Sequence, residues 1–138
     1  MRYALEVQYR GKNYAGSQIQ FDGGKQIKEP TIQGELEKAL RTLIKSDSDV
    51  ADNTRPIKTI FSGRTDKGVN SLGQVVHFDY DNDIVASKFV YQMNEILPDD
   101  ISVSNLRIVP DSFHAQKSAK SRYYRYELIN RRYKQAFD

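Results

Sequence analysis

The apolar side chains of this chain change their spacing in a set order, and few folds accept that order. Residues 2–9 alternate. Tyr3, Leu5, Val7 and Tyr9 fall on one face, with Ala4, Glu6 and Gln8 on the other, which is the period of a half-buried strand. Residues 10–30 are polar and hold four glycines, which suits a functional loop or a small hairpin. Pro30 and Thr31 then supply helix start signals. Ile32, Leu36, Ala39, Leu40, Leu43 and Ile44 recur on one helical face. A polar loop is expected over 46–57 and a second strand over 58–64, ending in the turn Asp66-Lys67-Gly68. The β-rich run GQVVHFDY predicts a third strand over 73–80. A second helix is expected over 87–97, with Ser87 as N-cap, a stripe of Phe89, Val90, Met93, Ile96 and Leu97, and Pro98 as its stop. Residues 101–109 read as a fourth strand and 121–129 as a fifth.

The order β-α-β-β-α-β plus one strand predicts an α+β fold. It is the ferredoxin-like or RRM-like arrangement, an antiparallel sheet with both helices on one face and the other face free. The length, 138 residues, suits one domain. No apolar run reaches the length of a membrane span, and the N-terminus lacks a signal peptide's apolar block. The chain has no cysteine, which excludes disulfides and thiolate metal sites and weakly fits a reducing compartment. With His77 and His114 as its two imidazoles, a structural zinc site is not expected. Net charge is +3, but residues 117–134 carry seven Lys/Arg against one acid, so the rest of the chain is slightly acidic. Four tyrosines sit in that basic stretch. Cations attract phosphates and aromatic rings offer faces to bases, although a solvated charged strand would look the same.

Residues 61–70, FSGRTDKGVN, hold the most suggestive chemistry. Arg64 and Asp66 are two apart, so in an extended chain both would project to one side and pair. A guanidinium beside a carboxylate favours its charged form. Such an aspartate can serve as nucleophile, general base or metal ligand. A pair that only fixes a turn is equally open on these residues alone. Asp79, Asp81 and Asp83 lie at the far end of the next strand, which argues against a metal cluster.

The stretch GRTDKGVNSLGQVVHF closely resembles the signature of the TruA family of tRNA pseudouridine synthases. YRGKNYAGSQIQ, TIQGELEKAL, MNEILPDDISV and FHAQKSAKSRYYRYEL resemble further blocks of that family, in order, over nearly the whole chain. The resemblance implies an isomerase that converts uridine to pseudouridine in tRNA, with the anticodon arm as the expected target. It implies Asp66 as the catalytic residue, attacking the uridine at the ring or at the ribose C1′. Arg64 would pair with Asp66 and help hold the extruded nucleotide. Tyr124 would stack on the target base. Lys67, Arg122, Arg125 and His114 are candidate RNA contacts. Neither cofactor nor metal is implied; the partners are tRNA and, in the full-length protein, a second copy. The expected location is the cytoplasm. A flipped base needs a grip and a filler for the space it leaves, which a cation and an aromatic ring supply.

On the fifth strand Arg122, Tyr124, Tyr126 and Leu128 would share a face, although Tyr126 reads more simply as core. His114 equally suits packing, and His77, in mid-strand, a structural role. The sequence departs from the family pattern at Asn70, where a histidine is usual, at Lys67, where a small residue is usual, and at Gln116, where an arginine is usual. Family members usually carry a second, similar half. Residues 1–138 are therefore expected to be the N-terminal catalytic half, inactive or weak alone. Two other readings fit the fold: a non-catalytic RRM-like RNA-binding module, and a small enzyme acting on phosphate or acyl groups. The third strand lacks the RNP1 pattern, and Arg10-Gly11-Lys12 fits a phosphate nest only loosely.

Overall fold

A computed structural model describes residues 1–26, 28–47 and 57–126. Strand β1 (Arg2–Tyr9) is followed by a short hairpin, β2 (Phe21–Asp22) and β3 (Lys25–Gln26), within the polar stretch. Then come α1 (Ile32–Asp47), β4 (Ile60–Phe61), β5 (Ser71–Asp79), α2 (Ala86–Ile96) and β6 (Ile101–Val109). The main sheet has the order β4-β5-β1-β6, and every neighbouring pair is antiparallel. With two helices, this is the α+β, ferredoxin-like arrangement expected from the sequence.

Register explains the faces. Tyr3 lies opposite Phe78, Leu5 opposite Val76 and Val7 opposite Gln74. This face forms one core with Leu36 and Leu40 of α1 and with Phe89 and Met93 of α2. Phe78 stacks on Tyr3 at 5.6 Å and on Phe89 at 6.1 Å between ring centres. Removing a fully buried Leu36 side chain would cost about 3 kcal/mol. The opposite face carries Ala4, Glu6 and Gln8 of β1, beside His77 and Val75 of β5 and Ser104 and Ser102 of β6. None of these is aromatic except the imidazole, so it lacks the stacking platform of an RRM sheet.

α1 starts where Thr31 predicted it would. The Thr31 hydroxyl accepts the Gly34 N–H at 3.0 Å, and the carbonyls of Gly16 and Ser17 take the N–H groups of Ile32 and Gln33. Three of the helix's orphan donors are thereby satisfied. α2 differs from expectation. Val85, not Ser87, occupies the extended capping position, and no side chain caps it. Ser87 already lies inside the helix. In the stripe, Phe89, Met93 and Leu97 are buried but Ile96 is exposed, because the helix ends there and Leu97 turns inward in extended backbone.

Two strands are shorter than their propensity suggests. The run 58–64 pairs only at Ile60 and Phe61, since the chain bends at Ser62 and Gly63. Residues 121–126 have no regular secondary structure and belong to no ladder. Beyond the bend, the guanidinium of Arg122, rather than a backbone amide, takes the Ser62 carbonyl. Tyr126 is consequently 87% exposed and not a core residue. Residues 127–129 of that expected strand, Leu128 among them, lie outside the described residues, as does most of the 46–57 loop.

Candidate active site

Asp66 sits on the segment joining β4 to β5, and that segment is fastened from both sides. The Ser62 N–H donates to the Val75 carbonyl, the last sheet bond before the bend. The Gly63 N–H donates to Gln74 Oε1 at 2.7 Å. The Thr65 N–H donates to Ser17 Oγ at 2.8 Å, and the Ser17 N–H returns a bond to the Thr65 carbonyl at 3.1 Å. Ser17, fully buried, also caps α1 through its own carbonyl. One residue thus ties the helix start to the backbone immediately before Asp66. Val69 N–H closes a turn on the Asp66 carbonyl, with Gly68 at φ +80°, a conformation other residues rarely adopt.

The far end of this turn packs on the loop after β1. Asn70 Oδ1 accepts the Gly11 N–H at 2.8 Å. A Cβ on Gly11 would lie 2.0 Å from the Val69 carbonyl oxygen, so only glycine permits this approach. Asn70, one of the departures from the family pattern, therefore holds two loops together.

Arg64, Asp66 and Lys67 line one open cleft of about 410 Å³, with Thr65, Ala15, Gln18, Gln20 and Glu29. Lys67 Nζ lies 3.9 Å from Glu29 Oε2, a surface pair of small energetic value. The expected Arg64–Asp66 ion pair does not form: among the described residues the ion pairs are Arg2–Asp79 and Lys67–Glu29. Arg64 and Asp66 lie outside any strand, in the irregular segment between the bend at Ser62–Gly63 and the turn at Lys67–Gly68, so a strand's same-side spacing is not imposed on them. Both side chains are exposed to the cleft and make no side-chain hydrogen bond among the described residues. Free carboxylate and free guanidinium side by side form a site open to a ligand rather than a closed turn lock.

Tyr124 is 60% exposed and is not among the residues that line this cleft. The Tyr9 hydroxyl bonds Thr65 Oγ1 at 2.7 Å. Burial, first of all, pushes the Tyr9 phenol up, so it stays protonated.

The other candidates are placed differently. Arg122 donates to the backbone carbonyls of Ser62 and Gln116, so it pins the 121–126 segment against the bend before Asp66. Arg125 is exposed on that segment. His114 is half-buried, and its Nδ1 accepts the N–H groups of Gln116 and Lys117. Its ring meets His77 edge-on at 4.9 Å. His77 is structural, as expected: Nδ1 accepts the buried Ala115 N–H at 3.0 Å. Burial, with Arg2 and His114 nearby, holds the His77 pKa down. Among the described residues no group of three or more His, Asp or Glu side chains could hold a metal ion. No helix there is long and apolar enough to cross a membrane.

Sequence reasoning did not single out Ser17, Thr65 or Gln74, named Tyr9 only as part of the apolar face of β1, and named Asn70 only as a departure from the family pattern. Gln74 gives the one available signal: it interrupts the core face of β5 with a polar group where Val76 and Phe78 continue it.

No protein-family model matches the chain. Curated proteins do. A tRNA pseudouridine synthase A of Bacillus licheniformis is 42% identical over 137 residues, covering 99% of this chain and 50% of that protein. One from Bacillus subtilis is 40% identical over 137 residues, again 99% and 50%. One from Dictyoglomus thermophilum is 39% identical over 139 residues, 99% and 51%. The chain thus spans about half the length of the curated relatives it matches. Over that half, it is similar to the tRNA pseudouridine synthase A proteins.

Proposed function

We propose that this chain is the N-terminal, catalytic half of an isomerase that converts uridine to pseudouridine in tRNA, with the anticodon arm as target. The observation that carries the reading is an unpaired Asp66 carboxylate, held at an open cleft by a fastened loop, in a chain kin to synthases of that name. In this account Asp66 attacks the extruded uridine, at the ring or at C1′. The glycosidic C–N bond breaks, the uracil turns, C5 bonds to C1′, the bond to Asp66 is released, N1 takes up a proton and the C5 hydrogen leaves as one. No atom is gained or lost overall apart from that exchange with solvent, so no redox partner is required.

Arg64, free of Asp66, is available to a phosphate or to the space the base vacates. Tyr124 offers a ring face for the flipped base. Lys67 and Arg125 add positive charge along the RNA path. Arg122 contributes through its charge as well as through the segment it holds, and His114 through that segment. The complete polypeptide is proposed to act in the cytoplasm as a homodimer, by kinship with the family.

Release of tritium from tRNA carrying 5-tritiated uridine tests this reading, since pseudouridine formation frees the C5 hydrogen. The complete polypeptide should release it catalytically. The 138-residue chain should fold and release at background, because the opposite wall of the cleft is supplied by the other half. Full turnover by these 138 residues would refute that division of labour. No release by the complete polypeptide, with tRNA binding intact, would favour the RNA-binding module.

A further inference from the structure

Beneath the Asp66 segment runs a chain of buried and half-buried hydrogen bonds that the proposed chemistry does not use. A backbone N–H can only donate, so the Gln74 atom 2.7 Å from Gly63 N is its carbonyl oxygen. The amide nitrogen of Gln74 therefore faces Tyr9 and donates to its hydroxyl at 2.8 Å. The Tyr9 hydroxyl, whose oxygen accepts from Gln74, also shares a hydrogen bond with Thr65 Oγ1, 2.7 Å away, in which either hydroxyl can be the donor. Gln74 is 7% exposed and Tyr9 3%, so water competes poorly for the link between them. The chain spans the residues on both sides of Arg64 and ends next to Asp66.

We propose that Tyr9 is a positioning residue for Asp66: through Gln74 and Thr65 it sets the conformation of residues 63–65 and so aims the adjacent carboxylate into the cleft. The inference rests on the synthase reading for its catalytic consequence, but the ordering of the segment is independent of it. Tyr9 touches no reacting atom. Its ring fills the core end of β1, and its hydroxyl alone does the aiming.

The test uses the complete polypeptide, assayed below the melting temperature of every variant. Tyr9→Phe keeps the ring and deletes one oxygen. Tyr9→Phe and Thr65→Val should each lower turnover by about 10- to 100-fold, with KM for tRNA within about twofold, as misplacement of a reacting group does. The double variant should be no slower than the single ones, because both cut one chain. Thr65→Ser, which keeps the hydroxyl, should retain parental turnover. Amide exchange at Gly63 and Thr65 should accelerate in Tyr9→Phe. Unchanged turnover in Tyr9→Phe, or multiplying losses in the double variant, would overturn the proposal while leaving the synthase reading intact. If the parent shows no isomerisation, the synthase reading fails separately. Unchanged exchange at Gly63 and Thr65 in Tyr9→Phe would then overturn the positioning role by itself.

Discussion

At the scale of single residues, the decisive feature is what Asp66 lacks. A carboxylate locked to Arg64 would be a turn device; one left open to a cleft is available for chemistry. Around it the constraints are steric. Gly11→Ala would place a methyl 2.0 Å from the Val69 carbonyl, an obstacle that backbone cannot easily clear. We expect a loss of about 3 kcal/mol in urea unfolding, at the upper end of overpacking costs. Tyr124→Ala, at a 60% exposed position, should leave the fold unchanged yet weaken the hold on substrate by about 1–3 kcal/mol, read as kcat/KM. Wild-type kcat/KM in that variant would remove Tyr124 from the site. The sequence pattern picked out Arg64, Asp66 and Tyr124, since the family motifs contain them. It could not show that Arg64 and Asp66 stay apart, because their geometry depends on a bend two residues earlier.

At the scale of elements, polar side chains do what the hydrophobic pattern leaves out. Gln33 and Glu37 project from α1 to Thr59. Glu37 accepts from its N–H and its hydroxyl, and Gln33 donates to its carbonyl, so buried Thr59 enters β4 with its backbone satisfied. β6 is an edge strand, and Asn94 of α2 covers it, donating to the Val103 carbonyl and accepting its N–H. Asn94→Ala would uncover both groups and should cost about 1–3 kcal/mol in denaturant unfolding. A change below 0.5 kcal/mol would mean that water replaces the amide without penalty. Helices and the long strands were legible because their periods are sustained, as Tyr3 to Tyr9 and Ile32 to Leu43 show. The strand over 58–64 and the described part, 121–126, of the expected fifth strand were over-read because propensity has no term for where a partner edge stops. The edge strand β4 offers two paired residues and then turns away.

At the scale of the whole molecule, His77 couples the sheet's open face to the 113–118 segment and, through Arg122 and the Gln116 carbonyl, to the bend before Asp66. The groups facing it are Arg2 and His114, which disfavour its protonation, and Asp79, which favours it. Its folded pKa is held below the unfolded value near 6.5, so the unfolded chain binds the proton more readily. This contribution to stability is complete above about pH 6.5 and is lost as pH falls through and below that value. His77→Asn, which can keep an acceptor for the Ala115 N–H, should flatten that part of the stability profile. An unaltered profile would mean that another group titrates there.

Whether this half carries the nucleophile is decided at Asp66. Tritium release from tRNA bearing 5-tritiated uridine would be compared between the complete polypeptide and its Asp66→Asn variant, at matched tRNA binding. We expect a loss of about 10³-fold or more in the variant, with binding and unfolding unchanged, since Asp66 makes no structural side-chain contact among the described residues. Release by Asp66→Asn within tenfold of the parent would contradict the claim and move the chemistry to another residue.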